Sequence, residues 1–144
     1  MPSESSHLST AIENRATAVK LADREEGLAW ATTIAFYSAL HLVEAAFAHG
    51  GDHFDSHASR NQHLKEERSL QAIWRHYKPL YDHSLKARYL TDEDGSAEAL
   101  VRKHLGVDGV QQKILNHHLR QVEKSVAKIL GRSEIFASAS VGAG

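Results

Sequence analysis

The sequence predicts an all-α fold, an antiparallel bundle of four to five helices. Three observations carry that prediction. Only two prolines, Pro2 and Pro79, occur in 144 residues, so little interrupts a helix. Alternation of β-branched or aromatic residues with polar ones is nowhere sustained. Apolar residues recur instead three and four apart, the repeat of one helix face.

Residues 1–7 read as a flexible lead, 8–131 as the bundle and 132–144 as a flexible tail. The first helix is expected near Thr10, which has capping-box spacing to Glu13. Leu8, Ile12, Ala16 and Val19 step along its face, and Gly27 breaks or kinks it. The second helix, from Leu28 to His49, is the expected centre of the fold. Phe36, Leu40, Val43 and Phe47 form one stripe on it, and Trp30, Ile34, Tyr37, His41 and Glu44 an adjoining one. Two stripes imply burial over a wide arc. Together with the last helix, they offer more apolar face than one small bundle hides, which points to a homodimer. Gly50 and Gly51 stop this helix.

A third helix opens near Ser56 and breaks near Ser69; Leu70, Ile73 and Tyr77 share a face beyond. Pro79 suits the first turn of a further helix carrying Tyr81, Leu85 and Tyr89. "TDEDGSAE" reads as an acidic loop and "ALVRKHLG" as a short helical piece. The last long helix is expected from Asp108 as N-cap to Gly131 as C-cap, with a stripe of Leu115, Leu119, Val122, Val126 and Ile129. In the small-residue tail, Ile135 and Phe136 are candidates to dock on a partner.

Composition narrows the chemistry. The formal net charge is −1, so any contact with nucleic acid must come from a local patch. With no cysteine there is no disulfide, thiolate zinc site or cysteine nucleophile, which fits a cytoplasmic location. No uninterrupted apolar run suggests a membrane span, and the start lacks the pattern of a signal peptide. Eleven histidines are the unusual feature.

His41 and Glu44 lie one turn apart and read either as a hydrogen-bonded pair or as half of a metal site lacking its second copy. His49, His53, His57 and His63 span a turn and a helix start with irregular spacing; a zinc site with Asp52 or Asp55 competes there with a solvated loop. Arg88, near Tyr89, is expected to pair with an acid such as Glu44. The stretch "DSHASRNQHL" gathers His57, Arg60 and His63 toward one face at steps of three, with Asn61 alongside. Arginine and a helix N-terminus suit a phosphate, and imidazole can move protons near neutral pH. The competing reading is a polar, solvent-facing helix start.

"FYSALHLVEAAF" (Phe36–Phe47), "SHASRNQHL" (Ser56–Leu64) and "YKPLYDHSLKARY" (Tyr77–Tyr89) together resemble bacterial HEPN-domain proteins (higher eukaryotes and prokaryotes nucleotide-binding). The resemblance covers Leu28–Tyr89 and, more loosely, the last helix. It implies a compact helical bundle, commonly a two-fold dimer, with RNA or nucleotide as ligand. It also implies a setting in toxin–antitoxin or antiphage systems, with an antitoxin or other protein partner. Active members carry Arg, a polar residue, and then His four to six residues further on, and cleave RNA without metal in the cleft between two copies. Arg60–Asn61 matches the opening of that motif, but His63 follows too soon, and Lys65, Glu66 and Glu67 stand where the histidine belongs.

Two functions follow as expectations. In the first, a metal-independent endoribonuclease uses Arg60 on phosphate and His57 or His63 for protons, with Asn61, His41, Glu44 and Arg88 as substrate contacts. In the second, a non-catalytic dimeric module binds a nucleotide or a protein. Neither needs a cofactor.

Overall fold

The computed structural model describes residues 2–89 and 97–132; for residue 89 and residues 97–100 it describes the backbone only. The fold is all-α, a bundle whose helices pack together around one buried centre.

Helix α1 spans Glu4–Leu21. It starts ahead of the expected Thr10, inside the stretch read as a flexible lead, because Ser3 caps it by accepting from the Ser6 N–H at 3.1 Å. Thr10 lies mid-helix and donates its hydroxyl back to the Ser6 carbonyl. The buried face keeps Leu8 of the expected stripe but otherwise departs from it. It carries His7, Leu8, Ala11, Arg15 and Ala18, while Ile12 is 45% exposed. Small residues explain this choice. Ser38 of the second helix donates to the Ala11 carbonyl at 2.8 Å, an approach that a bulky side chain at residue 11 would prevent.

A 3₁₀ turn at Glu25–Gly27 leads straight into α2, Leu28–His49. Most of α2 is buried, against α1 on one side and later helices on the others. The Phe36, Leu40, Val43 and Phe47 stripe lies in the core. The adjoining stripe runs from exposed to buried: Trp30 is 65% exposed, Ile34, Tyr37 and His41 are half-buried, and Glu44 is buried. The wide apolar arc is thus covered largely within one chain, with Trp30 as the exception. By length and composition the segment Glu25–His49 is apolar enough to cross a membrane, and 78% of its most apolar window is buried inside the bundle. Gly50 caps α2, and Gly51 turns the chain at φ 84°, so that the Asp52 N–H reaches the Phe47 carbonyl at 2.8 Å.

Helix α3, His57–Glu66, is capped by Ser56, which accepts from the Ser59 N–H at 3.1 Å. The expected break near Ser69 is a 3₁₀ turn, Arg68–Leu70. Helix α4 then runs unbroken from Gln71 to Tyr89. Pro79 therefore lies inside this helix rather than opening a new one. Its missing N–H leaves the Arg75 carbonyl without its helical donor. The burial of Ile73, Tyr77, Leu80, Ser84 and Ala87 at 4-3-4-3 spacing holds the helix together across that gap.

Helix α5 spans Ala97–His104 and buries Val101. Most of "TDEDGSAE", and Ile135 and Phe136 of the tail, lie outside the described residues. The last helix begins at α6, Gly106–Gly109, so Asp108 sits in its first turn and does not cap it. It continues as a π-helical segment, Val110–Leu119, and ends as α7, Arg120–Leu130. The buried Val110, Ile114 and Leu119 are spaced four and five, and Leu115 is buried beside them; the wider π turn accommodates that pattern. Val122 and Val126 continue the core, while Ile129 is 36% exposed. Gly131 closes α7 at φ 72°, as expected. Arg15 and Glu123 form a buried ion pair at 2.8 Å that ties α1 to α7.

Candidate functional site around Glu44 and Arg60

The site is built on Glu44, whose position late in α2 puts a carboxylate inside the bundle. Buried charge needs a partner. Arg60, facing inward from the first turns of α3, supplies one: its Nε donates to Glu44 Oε1 at 2.5 Å. Its other two nitrogens are also engaged. Nη2 donates to the Phe54 carbonyl at 3.2 Å, and Nη1 to His57 Nδ1 at 3.3 Å. Arg60 is 6% exposed and Glu44 3%. Arg60 therefore lies beneath the surface, and what meets solvent is the ring of groups around it.

His57 is the nearest of these. It is half-buried, one turn before Arg60, with ring contacts to Phe36 at 5.9 Å and Tyr81 at 5.6 Å. A guanidinium only donates, so His57 Nδ1 accepts and a neutral His57 carries its proton on Nε2. Burial, then the Arg60 and Arg88 guanidiniums, hold its pKa below the ordinary 6.5. Arg88 approaches from the end of α4. It donates to the Tyr37 hydroxyl at 2.9 Å and to Ser84, and lies over the Phe36 and Tyr37 rings.

A second group of imidazoles closes the other side. His7 and His41 meet Nδ1 to Nδ1 at 3.0 Å, one donating and one accepting. Burial holds both below the usual histidine range. His53 sits between two carboxylates, 2.8 Å from Asp55 and 3.7 Å from the second oxygen of Glu44. That Glu44 oxygen and the buried Tyr77 hydroxyl have no hydrogen-bond partner among the described residues. Burial raises the Tyr77 phenol well above 10, against the pull of Arg60.

The structure brings His57, Arg60, Glu44, His41 and Arg88 into one neighbourhood but changes several pairings. Glu44 pairs with Arg60, neither with Arg88 nor as a hydrogen-bonded partner of His41, because α3 delivers its arginine directly over the carboxylate. His63 does not share the face of His57 and Arg60. Its ring stacks on Phe54 at 4.7 Å and meets the edge of Phe47. Asn61 is half-buried on a separate cavity with Gln62, Lys65, Glu66 and Trp74. The loop histidines disperse: His49 pairs with Glu4 at 2.8 Å, and His53 with Asp55. The sequence reading overlooked His7, took His53 only as a zinc candidate or solvated-loop histidine, and took Tyr77 only as part of an apolar face. The signal for His7 was its 4-4-3 register with Ala11, Arg15 and Ala18, the face that α1 buries.

No family model, no curated protein and no solved structure matches this chain.

Proposed function

We propose that this chain is a HEPN-like module that binds RNA or a nucleotide through phosphate, at the face where His57 and Arg88 stand over the Arg60–Glu44 pair. The observation that carries the reading is the hydrogen bond from Arg60 to His57 Nδ1. It turns His57 into a fixed donor, with Nε2–H directed away from Arg60, and it occupies the nitrogen that a general base would use. Donors suit a phosphate oxygen, and the half-buried Tyr37 and Tyr81 rings beside them suit a base. Arg60, buried and paired with Glu44, orients His57 from beneath the surface rather than meeting the ligand itself. The geometry thus favours binding over cleavage.

The metal-independent ribonuclease remains the second reading, favoured by the His7–His41 pair and the Asp55–His53–Glu44 series, which keep further imidazoles near the same carboxylate. Incubating end-labelled RNA with the protein in EDTA separates the two. Retention of intact RNA in a complex supports the binding module. Cleavage that stops when the substrate is 2′-deoxy supports the nuclease.

Pairing into a homodimer belongs to the same proposal. Exposed Trp30 lies on the α2 stripe that continues through Tyr37 and His41 into the site, so a second copy seated there would stand beside the ligand face. Light scattering at micromolar concentration should give the mass of a dimer, and Trp30→Ser that of a monomer. A wild-type monomer removes the pairing from the proposal.

A further inference from the structure

Another concentration of imidazoles lies apart from Glu44, where α4 meets the π segment. His76 comes from α4, and His117 and His118 are consecutive in the π segment. One ligand nitrogen from each lies within 4.8 Å of the other two. His76 Nδ1 and His118 Nδ1 are 3.2 Å apart. Zinc binds imidazole nitrogen at about 2.0–2.1 Å, and two such bonds at a tetrahedral angle set the nitrogens about 3.3–3.4 Å apart. The observed pair is already close to that spacing.

Local geometry explains how neighbours in sequence reach the same point. Consecutive residues of an α-helix diverge around its axis, whereas the wider π turn brings them nearer to one side. Both rings contact His76, at centroid distances of 5.1 Å for His117 and 5.4 Å for His118. The irregular helix is also the one that buries Ile114 and Leu115 together, so the core fixes the segment that presents the histidines.

The convergence itself suits a borderline divalent metal ion, because three imidazole nitrogens from two elements meet within 4.8 Å of one another. Without an ion, His76 Nδ1 and His118 Nδ1 share one proton at 3.2 Å, and a bound ion would displace it.

We propose that His76, His117 and His118 bind one divalent transition-metal ion of the zinc class. Three imidazole nitrogens hold it, and the fourth position opens to solvent beside the exposed His117. The ion joins α4 to the π segment. This site is independent of the RNA reading, because its occupation is measured without RNA.

The test uses tag-free, chelator-treated full-length protein and zinc or cobalt ions alone. The wild type should take up one zinc per chain by calorimetry, melt at higher temperature with zinc, and give visible tetrahedral bands with cobalt. His117→Gln, at an exposed position, should fold as the wild type does in zinc-free buffer and lose affinity by at least about tenfold. His49→Gln, which removes a surface histidine elsewhere, should keep wild-type uptake. Absence of zinc uptake by the wild type overturns the site. So does wild-type affinity in the His76→Gln/His117→Gln double variant.

Discussion

Arg60 donates to Glu44 at 2.5 Å across the α2–α3 contact, with both side chains almost wholly shielded from water. This pair reassigns the residue that the sequence offers as a phosphate ligand. Removing one partner of a buried pair strands the other charge and costs about 3–5 kcal/mol. Arg60→Ala should therefore lower the unfolding free energy measured in urea by that order and is no clean test of function. Replacing both members with Met and Leu should recover most of the loss. A single variant as stable as the wild type would mean that the pair is not buried as described.

Gly27 sits where α1 ends against the start of α2. A Cβ there would stand 2.5 Å from the Leu21 carbonyl oxygen, a backbone atom that cannot turn aside. Gly27→Ala should cost about 1–3 kcal/mol through forced backbone displacement. Gly50 offers the contrast, since its nearest contact would be 3.6 Å away. Gly50→Ala should stay within about 0.5 kcal/mol of the wild type. Thermal melts of the two variants give the comparison; equal midpoints would refute the close approach.

Burial pushes the Glu123 carboxyl from an ordinary 4.5 up to about 7, against the opposing pull of Arg15. Between those values the folded chain keeps a proton that the unfolded chain has released. Stability from this group is thus complete below pH 4.5 and lost as pH rises through 7. Glu123→Gln mimics the protonated form. Over pH 5 to 8 the wild type should lose stability relative to this variant, with the change flattening above neutrality. A difference in melting temperature that is constant across the range would show that Glu123 ionises normally.

How much of this is legible in the sequence differs from element to element. The limits of α2 follow from Gly27 at one end and Gly50–Gly51 at the other, because glycine marks both turns. The face of α1 does not follow. Hydrophobicity ranks Ile12 above Ala11, but close helix contact selects the smaller side chain, and no single-residue scale contains that preference. The π segment is hidden for a related reason: at a 3.6-residue period, the burial of Ile114 with Leu115 looks like noise. Within the site, the His57–Arg60 adjacency is an i,i+3 relation and is readable. The position of His63 is not a third member of it. Six residues at 3.6 per turn carry it about 120° away from His57. That Arg60 turns inward depends on how the Gly50–Ser56 connection aims α3 at Glu44, a tertiary fact beyond any local pattern.

The central claim is that His57, oriented by Arg60, donates to a phosphate of RNA or nucleotide. The most direct test is fluorescence anisotropy of a labelled RNA oligonucleotide titrated with wild type and His57→Gln in EDTA, alongside melting curves for both. Losing one charge-assisted contact should weaken binding by roughly ten- to a hundredfold, with the melting temperature nearly unchanged and the RNA intact. Equal affinity of the two proteins, or no binding by the wild type, would contradict the account.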